Sequence, residues 1–118
     1  MSEEILYKLV RAPDWAAAEA SGVVAWSAVD ARDGFMHLST AAQVLETARL
    51  HFSGATDLLA LEIPRTGIDA KLKFELAPKR GAMFPHLYGQ LPTASVKRVR
   101  PLVQKADGSF VFADGERA

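Results

Sequence analysis

The chain has 118 residues, 14 basic and 14 acidic, so its formal net charge is zero. With 49% apolar and 24% charged residues, it has the composition of one globular domain burying roughly two-thirds of its unfolded surface, which excludes wholesale disorder. No apolar run approaches the roughly 18 residues of a membrane span, no cysteine offers a disulfide or a metal thiolate, and neutrality excludes a protein that coats nucleic acid by bulk charge.

A single domain over 1–118 is expected, with its core at about 5–112 and a frayed tail at 113–118. The acidic start, Met1-Ser2-Glu3-Glu4, is not followed by the apolar stretch of a secretory signal, which together with the lack of cysteine points to the cytoplasm.

Ile5 to Val10 is β-rich and reads as a first strand. Trp15 to Ala20 reads as a short helix, with Pro13 near its first turn and Gly22 beyond its end. Val23 to Trp26 is a brief extended piece, Asp30 to Gly34 a polar turn, and Phe35 to Leu38 a short strand. Thr40 and Gln43 form a Thr-x-x-Gln capping box that opens the next helix. Ala41, Leu45, Ala48 and Phe52 lie on one face of it, and Val44 widens that stripe. Leu58 to Ile63 is an apolar run short enough for a buried strand, and Lys71 to Leu76 alternates like a half-buried one.

Pro78 to Gly81 is a loop, and Phe84 to Gly89 is too rich in Pro and Gly for a regular central strand. Val96 to Val103 is a strand that Pro101 places partly on an edge. Asp107-Gly108 turns it back onto Phe110-Val111-Phe112. About six or seven strands and two helices, with the helices early, predict an α+β domain with a small, curved, mainly antiparallel sheet.

The neutral total hides an asymmetry. Residues 1–78 carry 7 bases and 11 acids, whereas residues 79–118 carry 7 bases and 3 acids. Between Glu75 and Asp107 lie six bases and no acid, a stretch suited to one small anion.

Within that frame two histidines share a pattern, Phe35-Met36-His37-Leu38 and Phe84-Pro85-His86-Leu87. Extended backbone puts Phe and His of each motif on one face. Imidazole donates, accepts and moves protons near neutral pH, so His37 and His86 are candidate catalytic residues. Glu75, on the polar face of its strand, is the third candidate catalytic residue, a carboxylate to orient a sugar hydroxyl or an imidazole in the same cleft. Ser39 and Thr40, at the expected helix start, offer free amides to an anion. Arg80 supplies positive charge and Tyr88 an aromatic face for a base. No Rossmann fingerprint, P-loop, His-Glu-x-x-His or nucleophile elbow is present, and His37 and His86 are too far apart in sequence to form a metal motif.

These motifs, Asp33-Gly34-Phe35-Met36-His37-Leu38-Ser39-Thr40 with Gln43 and Thr47-Ala48, the Leu58–Ile63 strand, Glu75, and Phe84-Pro85-His86-Leu87-Tyr88-Gly89, resemble the bacterial family grouped as domain of unknown function 952. The resemblance spans about residues 5–112, with Met36 standing where the family more often has Ile. That family in turn looks distantly similar to the ADP-ribosyltransferase superfamily, whose split, curved sheet grips NAD. The resemblance implies that His37 binds the nicotinamide-side ribose and that His86 or Tyr88 contacts the nicotinamide. It departs at the late catalytic acid, since only Asp114 and Glu116 follow Asp107. In the related RNA 2′-phosphotransferases His and Arg bind phosphate, a role that Arg80, Arg98 and Arg100 are available to fill.

The expectation is therefore an ADP-ribosyltransferase-like split sheet with a cleft around His37 and His86. It takes a small anionic or nucleotide-like ligand, with NAD as a candidate substrate, no resident cofactor and no metal. The alternatives are a non-catalytic binding module that has lost the chemistry and a metal-dependent hydrolase.

Overall fold

The computed structural model describes residues 3–118. In chain order its strands are β1 (Ile5–Arg11), β2 (Val23–Val24), β3 (Met36–His37), β4 (Ser39–Thr40), β5 (Leu58–Pro64), β6 (Leu72–Ala77), β7 (Ala82–Leu87), β8 (Leu91–Pro92), β9 (Arg98–Gln104) and β10 (Phe110–Phe112). Its α-helices are α1 (Ala12–Ser21), α2 (Ala28–Asp33) and α3 (Val44–His51). A five-stranded sheet runs β10-β9-β5-β1-β4, a three-stranded sheet β3-β7-β6, and β2 pairs with β8. Every pairing is antiparallel, giving a small α+β fold with curled sheets.

Strands β1 and β5 form the middle of the large sheet and are buried on both faces, which is why they read as continuous apolar runs. Leu6 and Val10 of β1 and Leu61 and Ile63 of β5 face one cluster, closed by Ala18 of α1, Met36, Leu87 and Leu91. Tyr7, Leu9, Leu58 and Ala60 face the other, closed by Val44 and Ala48 of α3 with Leu102, Phe110 and Phe112. Two charged residues enter these faces, Lys8 beside Leu6 and Val10, and Glu62 beside Leu58 and Ala60.

Local signals account for several elements. Proline occupies the first turn of α1, and Gly22 ends it at φ 85° with its amide bonded to the Ala18 carbonyl, 2.7 Å away. The Asp107-Gly108 turn joins β9 to β10 in the expected register, with Phe112 opposite Leu102.

Elsewhere the chain departs from expectation. Asp30 to Gly34 belongs to a third helix, because Ser27 and Asp30 form a complete capping box. Helix α3 begins at Val44, not after Thr40, and only half of the expected box forms: the Thr40 amide donates to Gln43 Oε1 at 3.1 Å. There are ten strands among the described residues, four of them only two residues long.

Phe84 to Leu87 is a central strand despite Pro85. The Pro85 carbonyl accepts the Leu38 amide at 3.1 Å, so its missing N–H falls where short β3 has ended and the β6 ladder loses nothing. Pro101 lies one residue past the β9–β10 ladder, but the edge expected there is covered, since its carbonyl accepts the Ala113 amide at 2.9 Å and its other side pairs with Leu59. Residues 113–118, expected to fray, carry bonds to β9: Asp114 accepts Arg100 Nε and Nη2 at 3.0 and 2.9 Å, and the Arg117 carbonyl accepts Nη1 at 2.7 Å. Among the described residues no helix is long and apolar enough to cross a membrane.

Candidate functional site

Register in the three-stranded sheet assembles the site. His37 pairs with His86, His86 with Lys73, and Phe84 with Glu75, so these side chains share one face. Met36, Leu87 and Leu72 point the other way, into the core. The two matched motifs are thus antiparallel partners, with imidazole centroids 5.7 Å apart. Phe35 stacks on His86 at 3.9 Å and 13°, and its ring lies 4.7 Å from His37 and 5.4 Å from Tyr88.

His37 is held by α2. Its Nδ1 lies 2.6 Å from Asp30 Oδ1 and its Nε2 3.0 Å from Asp33 Oδ2. Two ionised carboxylates can only accept, so the arrangement is fully satisfied when both ring nitrogens carry protons. Asp30 is buried and also accepts the Ser27 amide and Lys8 Nζ, both at 2.9 Å. Burial disfavours its charge, but the bonds from His37 and Lys8 outweigh that and hold its carboxyl well below the usual range. Burial lowers the Lys8 ammonium, against the pull of Asp30. Asp33 is held low by the Arg32 guanidinium first, with His37 adding to it.

His86 is arranged differently. Its Nδ1 lies 3.0 Å from Glu75 Oε1, which also accepts the Tyr88 hydroxyl at 2.6 Å. Ionised Glu75 makes Nδ1 the donor and leaves Nε2 as an acceptor, and no described protein group bonds that nitrogen. The bonds from Tyr88 and then His86 lower the Glu75 carboxyl, and the same carboxylate raises the Tyr88 phenol. Lys73 Nζ sits 5.1 Å from the centre of the Tyr88 ring.

The structure therefore brings His37, His86, Glu75 and Tyr88 together. Ser39 and Arg80 meet at one neighbouring point: both donate to Thr47 Oγ1, at 3.2 and 3.0 Å, and the Arg80 guanidinium lies 4.5 Å over Phe84. Thr40 is elsewhere, lining a cleft of about 560 Å³ with Glu62, Arg98 and Arg100. The expected anion site at Ser39–Thr40 is not built, because these residues pair with β1, the Thr40 amide is taken, and α3 starts beyond them.

Arg98 and Arg100 are likewise not beside the histidines. Both bind Glu62, which also accepts the Tyr7 hydroxyl at 3.0 Å, and burial with this contact pushes the Tyr7 phenol up to about 12. A second cleft, of about 570 Å³, adjoins Trp26 and Gly89. Neither cleft is lined by His37 or His86.

Among the described residues no three His, Asp or Glu side chains converge on a point where a metal could sit. Asp30 and Asp33 lie on opposite edges of the His37 ring, which rules out a shared ion there. These two acids are the site residues that sequence reasoning missed. The signal was Ser27-x-x-Asp30, a capping pattern that places a helix one turn ahead of His37.

A family described as "Protein of unknown function (DUF952)" matches residues 9–99. Protein CC0527 from Caulobacter crescentus is similar in structure: its crystal form has a TM-score of 0.83 and 40% identity, covering 91% of this chain and 93% of that one. A double mutant of it gives 0.83 at 39% identity over the same shares. Its solution structure gives 0.79 at 40%, covering 89% and 90%. Among curated proteins none matches the chain.

Proposed function

The chain belongs to the DUF952 family, whose description assigns no activity, and from its own residues we propose that the face around His37 and His86 binds a nucleotide or another phosphate-bearing ligand and transfers a group of it, in the manner of an ADP-ribosyltransferase. NAD is the candidate substrate. The observation that carries this reading is the pair Glu75–His86, in which a carboxylate fixes one imidazole nitrogen and leaves the other, on a residue only 6% exposed, without a partner among the described residues.

In this reading the nucleophile bonds to C1′ of the nicotinamide-side ribose as the C1′–N bond breaks and neutral nicotinamide leaves, His86 Nε2 accepts the nucleophile's proton, and Glu75 orients the ring and stabilises the resulting cation. The ligand displaces Asp33 from His37 Nε2, which then donates to a ribose or phosphate oxygen while Asp30 keeps Nδ1, and the freed Asp33 carboxylate accepts from a ribose hydroxyl. Tyr88 offers its ring to a base, while Arg80, one step along the face, offsets phosphate charge.

Titration of the protein with NAD and ADP-ribose, followed by the ring-proton NMR signals of His37 and His86, tests it. Progressive shifts of both are expected, and no shift at millimolar ligand overturns the reading.

Two observations favour a second reading, a binding module without chemistry: both nitrogens of His37 are occupied by Asp30 and Asp33, and the late acid Asp114 is engaged by Arg100. Turnover of labelled NAD, dependent on His86, separates the two.

A further inference from the structure

The cleft of about 570 Å³ lies just past the end of β7, its lining running from Leu87 on the core side of that strand to Gly89 and Gln90, and its size is in the usual range for small-molecule sites. Its apolar lining includes Ile68, Leu87 and the Trp26 indole. Ile68 and Leu87 are buried, and Trp26 is 37% exposed, so part of its indole is open to solvent at the cleft. The ring is not loose: its Nε1 donates to the Gly89 carbonyl at 3.1 Å. An aromatic plate pinned by its polar edge presents a fixed face for stacking.

The polar lining is equally specific. Gln90 and Ser95 offer an amide and a hydroxyl. Lys71 crosses directly over Gly89: a methyl carbon on Gly89 would stand 2.7 Å from Lys71 Cδ and 3.7 Å from its Nζ. Glycine at this position is what lets the lysine lie along the cleft. Asp69 also lines it, but its carboxylate is answered by Arg65 Nε at 2.9 Å.

Two short segments join this cleft to the histidines. Trp26 immediately precedes Ser27, the cap of α2, whose Asp30 holds His37. Gly89 immediately follows Tyr88, whose amide donates to the Lys71 carbonyl at 2.8 Å.

We propose that this cleft holds a second heteroaromatic ring of the ligand, apart from the one on Tyr88: the ring stacks on Trp26, Gln90 and Ser95 bond its polar edge, and Lys71 pairs with an attached phosphate. The ligand class is a nucleotide rather than free phosphate or a sugar phosphate. The proposal rests on the nucleotide reading of the histidine face.

One titration separates the two. The protein has two tryptophans, so the indole N–H signal of Trp26 is assigned by Trp26→Phe and followed together with the histidine ring signals. Adenosine monophosphate, NAD and inorganic phosphate are added in turn. The expected result is that both nucleotides shift the Trp26 indole and quench its fluorescence, whereas phosphate alone does not.

Lys71→Ala, at an exposed position, is expected to weaken nucleotide binding about tenfold. Gly89→Ala, which displaces only the flexible end of Lys71, is expected to do the same with the fold intact. Shifts at His37 and His86 without any at Trp26 overturn the cleft and leave the histidine reading standing. Silence at all three overturns both. Unchanged affinity in Lys71→Ala and Gly89→Ala overturns the role of the lysine.

Discussion

His37 is joined to Asp30 twice through one oxygen: ring Nδ1 lies 2.6 Å from Oδ1, and the His37 amide donates to it at 3.0 Å. The same carboxylate caps α2 and neutralises buried Lys8. One side chain thus sets a helix start, a strand end and the orientation of an imidazole.

Asp30→Ala is therefore expected to be severe. It strands the Lys8 ammonium inside the protein, and loss of one partner of a buried pair typically costs about 3–5 kcal/mol. Urea unfolding measures the loss. Asp30→Asn keeps part of the hydrogen bonding and should fall between wild type and alanine.

Glu75 raises the Tyr88 phenol through a direct hydrogen bond, while Tyr7 is raised chiefly by its burial. Alkaline titration of phenolate absorbance should find both tyrosines ionising above the ordinary range, Tyr7 at about 12. Glu75→Gln should bring Tyr88 back toward that range and leave Tyr7 in place. A single unchanged curve in both proteins would refute the Glu75–Tyr88 contact.

The tail imposes an acid limit. Bonding to Arg100 lowers the Asp114 carboxyl from 3.8 to about 2. A carboxyl depressed by folding contributes stability that is complete above its unfolded value and lost as pH falls through the folded one. Between pH about 4 and about 2 stability should therefore drop. In Asp114→Asn the drop should be shallower in that window, with the remainder carried by the other depressed carboxyls, Asp30, Asp33, Glu62, Glu75 and Asp107. Thermal melts across this pH range decide it.

His86→Asn tests the chemistry apart from the binding. NAD turnover should fall by roughly 100-fold or more, the scale of a lost general base. NAD should still shift the His37 signal. Equal loss of binding and turnover would make His86 a ligand contact only.

Much of this architecture was legible in the residues. The first strand, α1 and the Asp107-Gly108 hairpin each carried a local signal that the packing did not oppose. The two Phe-x-His motifs pointed to paired histidines because alternation along a strand is a local property, although their direct opposition came from register. Pro85 misled, because the cost of proline in a sheet depends on which side its missing amide faces, and that is set by the length of β3. Asp30 and Asp33 were hidden for a similar reason. Their meeting with His37 needs a six-residue helix whose cap uses Asp in place of the more familiar Glu or Gln. Arg98 and Arg100 looked like an anion site in sequence, but Glu62, thirty-six and thirty-eight positions earlier, had already claimed them.

Lys8 reaches from the central strand of the large sheet to the carbonyl of His37, 3.1 Å away, as well as to Asp30. Its amine is shielded from solvent-borne acylating reagents as long as those two layers stay together. Acylation of this one lysine therefore proceeds only through opening of the protein, and its rate beside that of surface lysines such as Lys79 reads how often the layers part. The residue that anchors the histidine face is also its built-in chemical clock.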